Sequence, residues 1–179
     1  MPTLLITAKD ILNSTFAFED GTIAFVTTTH GTFWKGRDTT SVQGQNYFAQ
    51  TRAAIDWRDK YLDINGQVLP HDRIKHNNGG LLSSKRTWTW GGFIVELHYS
   101  HHEWTAQVPS GSTIGRFRSY RDHIFHSDEK ASVTLDFDIA SPEATFLLLA
   151  FIYSETKRID DEQAAINAGA ASGGAVAVS

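Results

Sequence analysis

Two short stretches of this chain concentrate the side chains that could do chemistry. The first is His98-Tyr99-Ser100-His101-His102-Glu103-Trp104. Neutral imidazoles are common ligands for zinc, copper, nickel and iron, and a carboxylate beside them could complete a facial set with open positions, so His98, His101 and His102 are candidate ligands for a divalent metal. The same residues with Glu103 could instead act as acid and base. On a straight strand His98 and His102 share a face with Ser100 while His101 points the other way, so all three converge only if the chain turns. The order and the extended setting also differ from the helical His-Glu-x-x-His zinc signature. The plain alternative is a solvated strand end and turn, with Trp104 anchoring the strand that follows. The second stretch, Tyr120-Arg121-Asp122-His123-Ile124-Phe125-His126, sets an acid beside a histidine. Folded against the first, His123 or His126 could serve as general base with Asp122 orienting it. Otherwise it is a polar loop. Ser100 and Ser110 lie in no Gly-x-Ser-x-Gly elbow, which argues against a serine hydrolase.

Cations form a third group. Arg116 and Arg118 share a strand face, Arg121 follows, and Lys85 and Arg86 lie upstream; together they could hold a phosphate or carboxylate through bidentate contacts. Their plainer role is a solvated, salt-bridged strand. Trp88 and Trp90, two residues apart, face one side of their strand, either stacking on a flat ligand outside or packing on the core inside. Inside is the expectation.

These residues need elements to position them. Phe16 and Phe18, the Asp20-Gly21 turn, then Ile23, Phe25 and Val26 read as a hairpin. A loop with Phe33-Trp34 at its centre follows. Short β-prone runs come next at 52–57, 61–64 ahead of an Asn65-Gly66 turn, 86–90 and 93–99. In the last, Phe93, Val95, Leu97 and Tyr99 alternate with Ile94, Glu96 and His98, as a half-buried strand requires. Runs at 104–108, 114–118 and 131–139 continue the series, which suggests a sandwich or barrel.

The pattern then changes. Ser141 can cap a helix, Pro142 suits its first position, and Glu143 puts negative charge in the first turn. From Ala144 to Tyr153 every residue except Thr145 is apolar or aromatic. A helix apolar on all sides must be buried on all sides. The run is too short for a bilayer, which needs about 20 residues, and Glu155, Lys157 and Arg158 follow at once. The sequence therefore predicts a mainly β fold: an antiparallel barrel, residues 1–160, wrapped around a buried hydrophobic helix at about 142–158, with a flexible Ala/Gly/Ser tail at 161–179. Such a helix fills the place where a hollow barrel would hold a ligand, so any ligand should bind at the rim or outside.

Composition bounds the function. With 179 residues, 41% of them hydrophobic, and five Trp, eleven Phe and five Tyr, the chain can bury the core of one domain. Sixteen Lys and Arg against twenty Asp and Glu leave a net charge of −4, which offers no general affinity for nucleic acid. The chain has no cysteine, which excludes disulfides and thiolate chemistry and fits a reducing compartment. The first nine residues lack the basic segment and apolar run of about 7 to 15 residues of a secretory signal. The expected location is cytoplasmic, without a transmembrane segment.

Ile55-Asp56-Trp57, Tyr61 to Leu69, Arg86-Thr87-Trp88-Thr89-Trp90, Trp104, Gly115-Arg116-Phe117-Arg118, Ala131-Ser132-Val133 and the ending Phe146 to Arg158 occur in an order that resembles a fungal domain family of unknown function, abundant in mushroom-forming species. The resemblance covers about residues 4–160. That family looks like a distant relative of tubby-type and scramblase-type barrels, which implies antiparallel strands around a central helix. It carries over no catalytic residues. Because tubby-type proteins bind phosphoinositide head groups, it implies a non-catalytic module for a lipid, a small hydrophobic ligand or a protein partner. The alternatives are a small enzyme with a His-rich site at the barrel rim and an intracellular structural or interaction protein.

Overall fold

The computed structural model describes residues 1–32, 36–77, 85–121 and 129–172. Its strands are β1 (Thr3–Ile6), β2 (Thr15–Ala17), β3 (Ile23–Thr32), β4 (Gly36–Gly44), β5 (Arg52–Asp56), β6 (Tyr61–Ile64) and β7 (Gln67–Pro70). A single helical turn, α1 (His71–Ile74), leads into β8 (Lys75–Asn77), β9 (Lys85–Trp90), β10 (Phe93–Ser100), β11 (Glu103–Gln107), β12 (Thr113–Arg118) and β13 (Ser132–Leu135). The long helix α2 (Pro142–Ser172) follows β13.

All strand pairs are antiparallel, in the order β7-β6-β5-β4-β3-β2-β1-β13-β12-β11-β10-β9-β8. Two meanders, β1 to β7 and β8 to β13, are joined where Thr3 pairs with Thr134 and Leu4 with Val133. Local turn chemistry builds each meander. Asn65 and Gly66, at φ 52° and 88°, close the β6–β7 hairpin in the left-handed conformation that a two-residue turn demands. The fold is mainly β around a C-terminal helix, as the sequence predicts, with one difference from a closed barrel. Among the described residues β7 and β8 do not pair; they are the two ends of the sheet, and α1 bridges them. This open seam matters below.

Helix α2 starts where its cap predicts: the Ala144 N–H donates to the Ser141 hydroxyl at 3.1 Å. From Ala144 to Thr156 every residue is buried. Phe146 lies against Trp88, Trp90 and Phe93, Phe151 against Phe117, and Leu147 against β12 at Gly115. A Cβ at Gly115 would come to 3.0 Å from Leu147 Cδ2 and 3.1 Å from Leu135 Cδ2, so a larger residue there would make these side chains give by a few tenths of an ångström. Burying each large apolar side chain contributes about 2 kcal/mol, which makes this helix the chief organiser of the core. Trp88 and Trp90 face inward, as expected.

The helix runs past Arg158 to Ser172, so the segment expected as a flexible tail from 161 is helical for its first part. Asp161, Glu162, Gln163, Ala164 and Ala165 contain no breaker, and the Gln163 amide donates to Asn167 Oδ1 one turn on. Residues 161–168 are exposed. Among the described residues no helix is long and apolar enough to cross a membrane.

Candidate functional site at the open seam

Where the sheet fails to close, seven residues from four elements line a pocket of about 380 Å³: Trp57, Lys60, His71, Asp72, Lys75, Tyr153 and Lys157. Their placement follows from local structure. Trp57 and Lys60 belong to the tight β5–β6 connection. The His71 N–H donates to the Lys60 carbonyl at 3.0 Å, which ties α1 to that connection. Pro70, extended at φ −60° and ψ 136°, turns the chain from β7 into α1. Tyr153 and Lys157 are four apart on α2 and so share a face, at the point where the apolar run gives way to charge.

The floor is aromatic. The Trp57 ring stacks on Tyr153 at 5.4 Å with 10° between planes, and Trp57 Nε1 donates to Thr40 Oγ1 at 2.8 Å. His71 meets the Tyr153 ring edge-on at 4.7 Å, and Trp88 does so at 5.4 Å. Lys75 Nζ lies over the Tyr153 ring, 4.9 Å from its centre, a cation–π contact.

The electrostatics are unbalanced. His71 is 8% exposed and its Nε2 has no hydrogen-bond partner among the described residues. Burial, then Lys75 and Lys157, push its pKa down from 6.5 to about 4, with Asp56 opposing, so it is neutral at pH 7. Burial and the charges of Arg86 and Lys157 also lower Lys75. Lys157 reaches Asp160 at 3.9 Å, whereas Lys60 and Lys75 make no ion pair among the described residues. Asp72, the lining carboxylate, is exposed. A protein with net charge −4 thus gathers three ammonium groups around an aromatic floor, an arrangement suited to an anion.

The residues singled out in the sequence are distributed otherwise. His101 and His102 form the two-residue β10–β11 turn, both left-handed at φ 49° and 63°, and both are exposed. His98 is on the outer face, paired with Thr105 and Lys85. Glu103 does not complete a metal set. It pairs with Arg116 at 3.1 Å and Arg118 at 3.5 Å. Among the described residues no three His, Cys, Asp or Glu side chains gather as a metal would require. Asp122, His123 and His126 lie outside the described residues.

The five cations do not form one patch. Lys85, Arg116 and Arg118 are exposed on the outer face, and Arg121 pairs with Glu129 at 3.6 Å. Arg86 belongs inside. Strand alternation sets it on the face of Trp88 and Trp90, where its Nη1 donates to the Ser154 carbonyl at 2.9 Å and its guanidinium lies 5.1 Å from the centre of the Trp104 ring.

Sequence reasoning missed the seam because its residues lie far apart along the chain. The one local signal was the Tyr153/Lys157 spacing at the end of the apolar run. Comparison of the chain with protein-family models, with curated proteins and with solved structures finds no match.

Proposed function

We propose that this protein is a non-catalytic binding module that holds the anionic group of a small molecule or lipid in the seam pocket. One observation carries the reading: Lys60, Lys75 and Lys157 converge on the Trp57–Tyr153 stack beside a buried His71 whose Nε2 lacks a partner. A buried imidazole nitrogen without a partner among the described residues, in a pocket lined by three lysines, suits an anionic group. The filled core is a further support, because α2 occupies the sheet's interior and directs ligands to its margin. The same reading suits the resemblance to fungal tubby-like domains, and the cysteine-free composition suits the cytoplasm. An enzyme at the His98–Glu103 hairpin would require Glu103 to leave Arg116 and Arg118.

Isothermal titration with inorganic phosphate, pyrophosphate and sulfate at low ionic strength tests the proposal. Saturable binding that weakens with salt is expected, and Lys75→Met should weaken it about tenfold, within the range of one charge-assisted contact. If none of the three anions binds at low salt, the reading is wrong.

A further inference from the structure

We propose that the seam pocket recognises the dianionic head of a phosphate monoester and takes up one proton at His71 as the ligand enters; this rests on reading the pocket as an anion site. His71 forms part of the pocket wall, is almost fully buried, and keeps Nε2 unpartnered among rings rather than hydrogen-bonding groups. A neutral imidazole with its proton on Nε2 can already donate to an anion, and the imidazolium adds the attraction of opposite charges to that hydrogen bond. Every nearby influence but one keeps it neutral. Lys75 faces it from β8, Lys157 from α2 and Lys60 from the β5–β6 connection, and burial among Trp88 and Tyr153 adds to their effect. Asp56 alone opposes them, from the end of β5. Asp72, the neighbouring acid on α1, is exposed and screened by water.

A dianion reverses this balance. It neutralises the field of the lysines and offers an acceptor to Nε2, so protonation of His71 becomes favourable where it was not. The number of donors selects the ligand class. A carboxylate has one charge and two oxygens, whereas a phosphate monoester has nearly two charges at pH 7 and three strong acceptors, matching three ammonium groups and an imidazolium. The pocket's 380 Å³ leaves room beyond the phosphate for an esterified group against the Trp57–Tyr153 stack.

Sulfate is the first probe, because it is a dianion that does not titrate in the working range. Between pH 7.5 and 5.5 its affinity for the intact protein should rise, by up to tenfold per pH unit, the limit for uptake of one proton. The profile for His71→Gln should be flat. Equal profiles for the two proteins, with binding retained, would overturn proton uptake and leave the anion site standing; absence of sulfate and phosphate binding would remove the site itself. Should His71→Gln not fold, the ring signals of His71, followed by NMR in the native protein, give the same answer: sulfate must raise the pH at which they titrate, and an unchanged midpoint refutes the proposal. Phenyl phosphate should bind at least tenfold more tightly than benzoate, and equal affinities would refute the ligand class. Phosphatidylcholine vesicles containing phosphatidic acid identify the source. Retention that phenyl phosphate competes away supports a lipid head group, and phenyl phosphate binding without retention supports a soluble monoester.

Discussion

The outer face of β10 to β12 and the seam both concentrate charge, and they do so in opposite ways. On the outer face Glu103 lies between Arg116 and Arg118, half-exposed and screened, and the cluster is complete in itself. Pairs of this kind contribute about 0 to 1 kcal/mol each, so they keep the strands soluble and in register more than they stabilise them. At the seam Lys60, Lys75 and Lys157 line a pocket with aromatic rings; Lys157 reaches Asp160 at 3.9 Å and Lys75 lies over the Tyr153 ring. Clustered like charge at a partly buried site costs stability. The outer cluster is balanced within itself, whereas the seam sets three lysines against one lining carboxylate, Asp72.

The largest expected effect tests the scaffold that creates both regions. Leu148 is 2% exposed in the middle of the helix that the sheet surrounds. Leu148→Asp buries an unpaired carboxylate and should cost more than about 4 kcal/mol, enough to leave the protein insoluble or unfolded by circular dichroism. A soluble, folded variant would mean that the helix is not sheathed, and the seam with its pocket would lose its floor.

Next comes the contrast between two carboxylates. Glu155 is 3% exposed and accepts from Arg158 Nε at 2.8 Å and Trp104 Nε1 at 2.9 Å. Burial alone would raise its pKa, but Arg158 and these hydrogen bonds hold it below the ordinary carboxylate range. Glu155→Ala leaves the buried Trp104 Nε1 without its acceptor and Arg158 with Glu162 alone, and should lose about 3 kcal/mol in urea denaturation. Glu103→Ala should lose less than about 1 kcal/mol. Equal losses would show that the outer cluster is more than a solvated network.

Acid should act on the seam through His71. His71 is held near 4 when folded against 6.5 when unfolded, so as pH falls the unfolded chain binds the proton first. Its contribution is fully present above pH 6.5 and is lost progressively down to about 4. The melting temperature should therefore fall across that window, and His71→Phe should flatten the part of the fall due to this group. An unchanged slope would place the acid sensitivity elsewhere.

These expectations separate what the sequence reveals from what it hides. The buried helix is legible because its evidence is contiguous: a cap at Ser141, a charge at Glu143, and an unbroken apolar run in which no face could meet water. Hairpins at Asn65-Gly66 and the alternation from Phe93 to Tyr99 are legible for the same reason. The pocket is not, since Trp57, His71, Lys75 and Tyr153 come together only through β-pairing that brings distant segments side by side. The histidine run misleads in the other direction. Adjacent histidines suggest convergence, yet a two-residue turn spends His101 and His102 on left-handed backbone and aims them at solvent. Arg86 differs from Lys85 by a single step, which in a strand is a change of face.

The smallest effect is the sharpest on function. Lys60 sits in the pocket wall with a left-handed backbone at φ 58°, a conformation that costs a non-glycine residue roughly 1 kcal/mol. Strain and like-charge repulsion at one position both oppose folding, and both would vanish in Lys60→Gly. That variant should be more stable than the native protein by up to about 1 kcal/mol while its affinity for phosphate falls several-fold. Stability and affinity moving in opposite directions is the signature of a residue kept for binding. If Lys60→Gly were stabilised with affinity intact, Lys60 would be a bystander, and recognition would rest on Lys75, Lys157 and His71 alone.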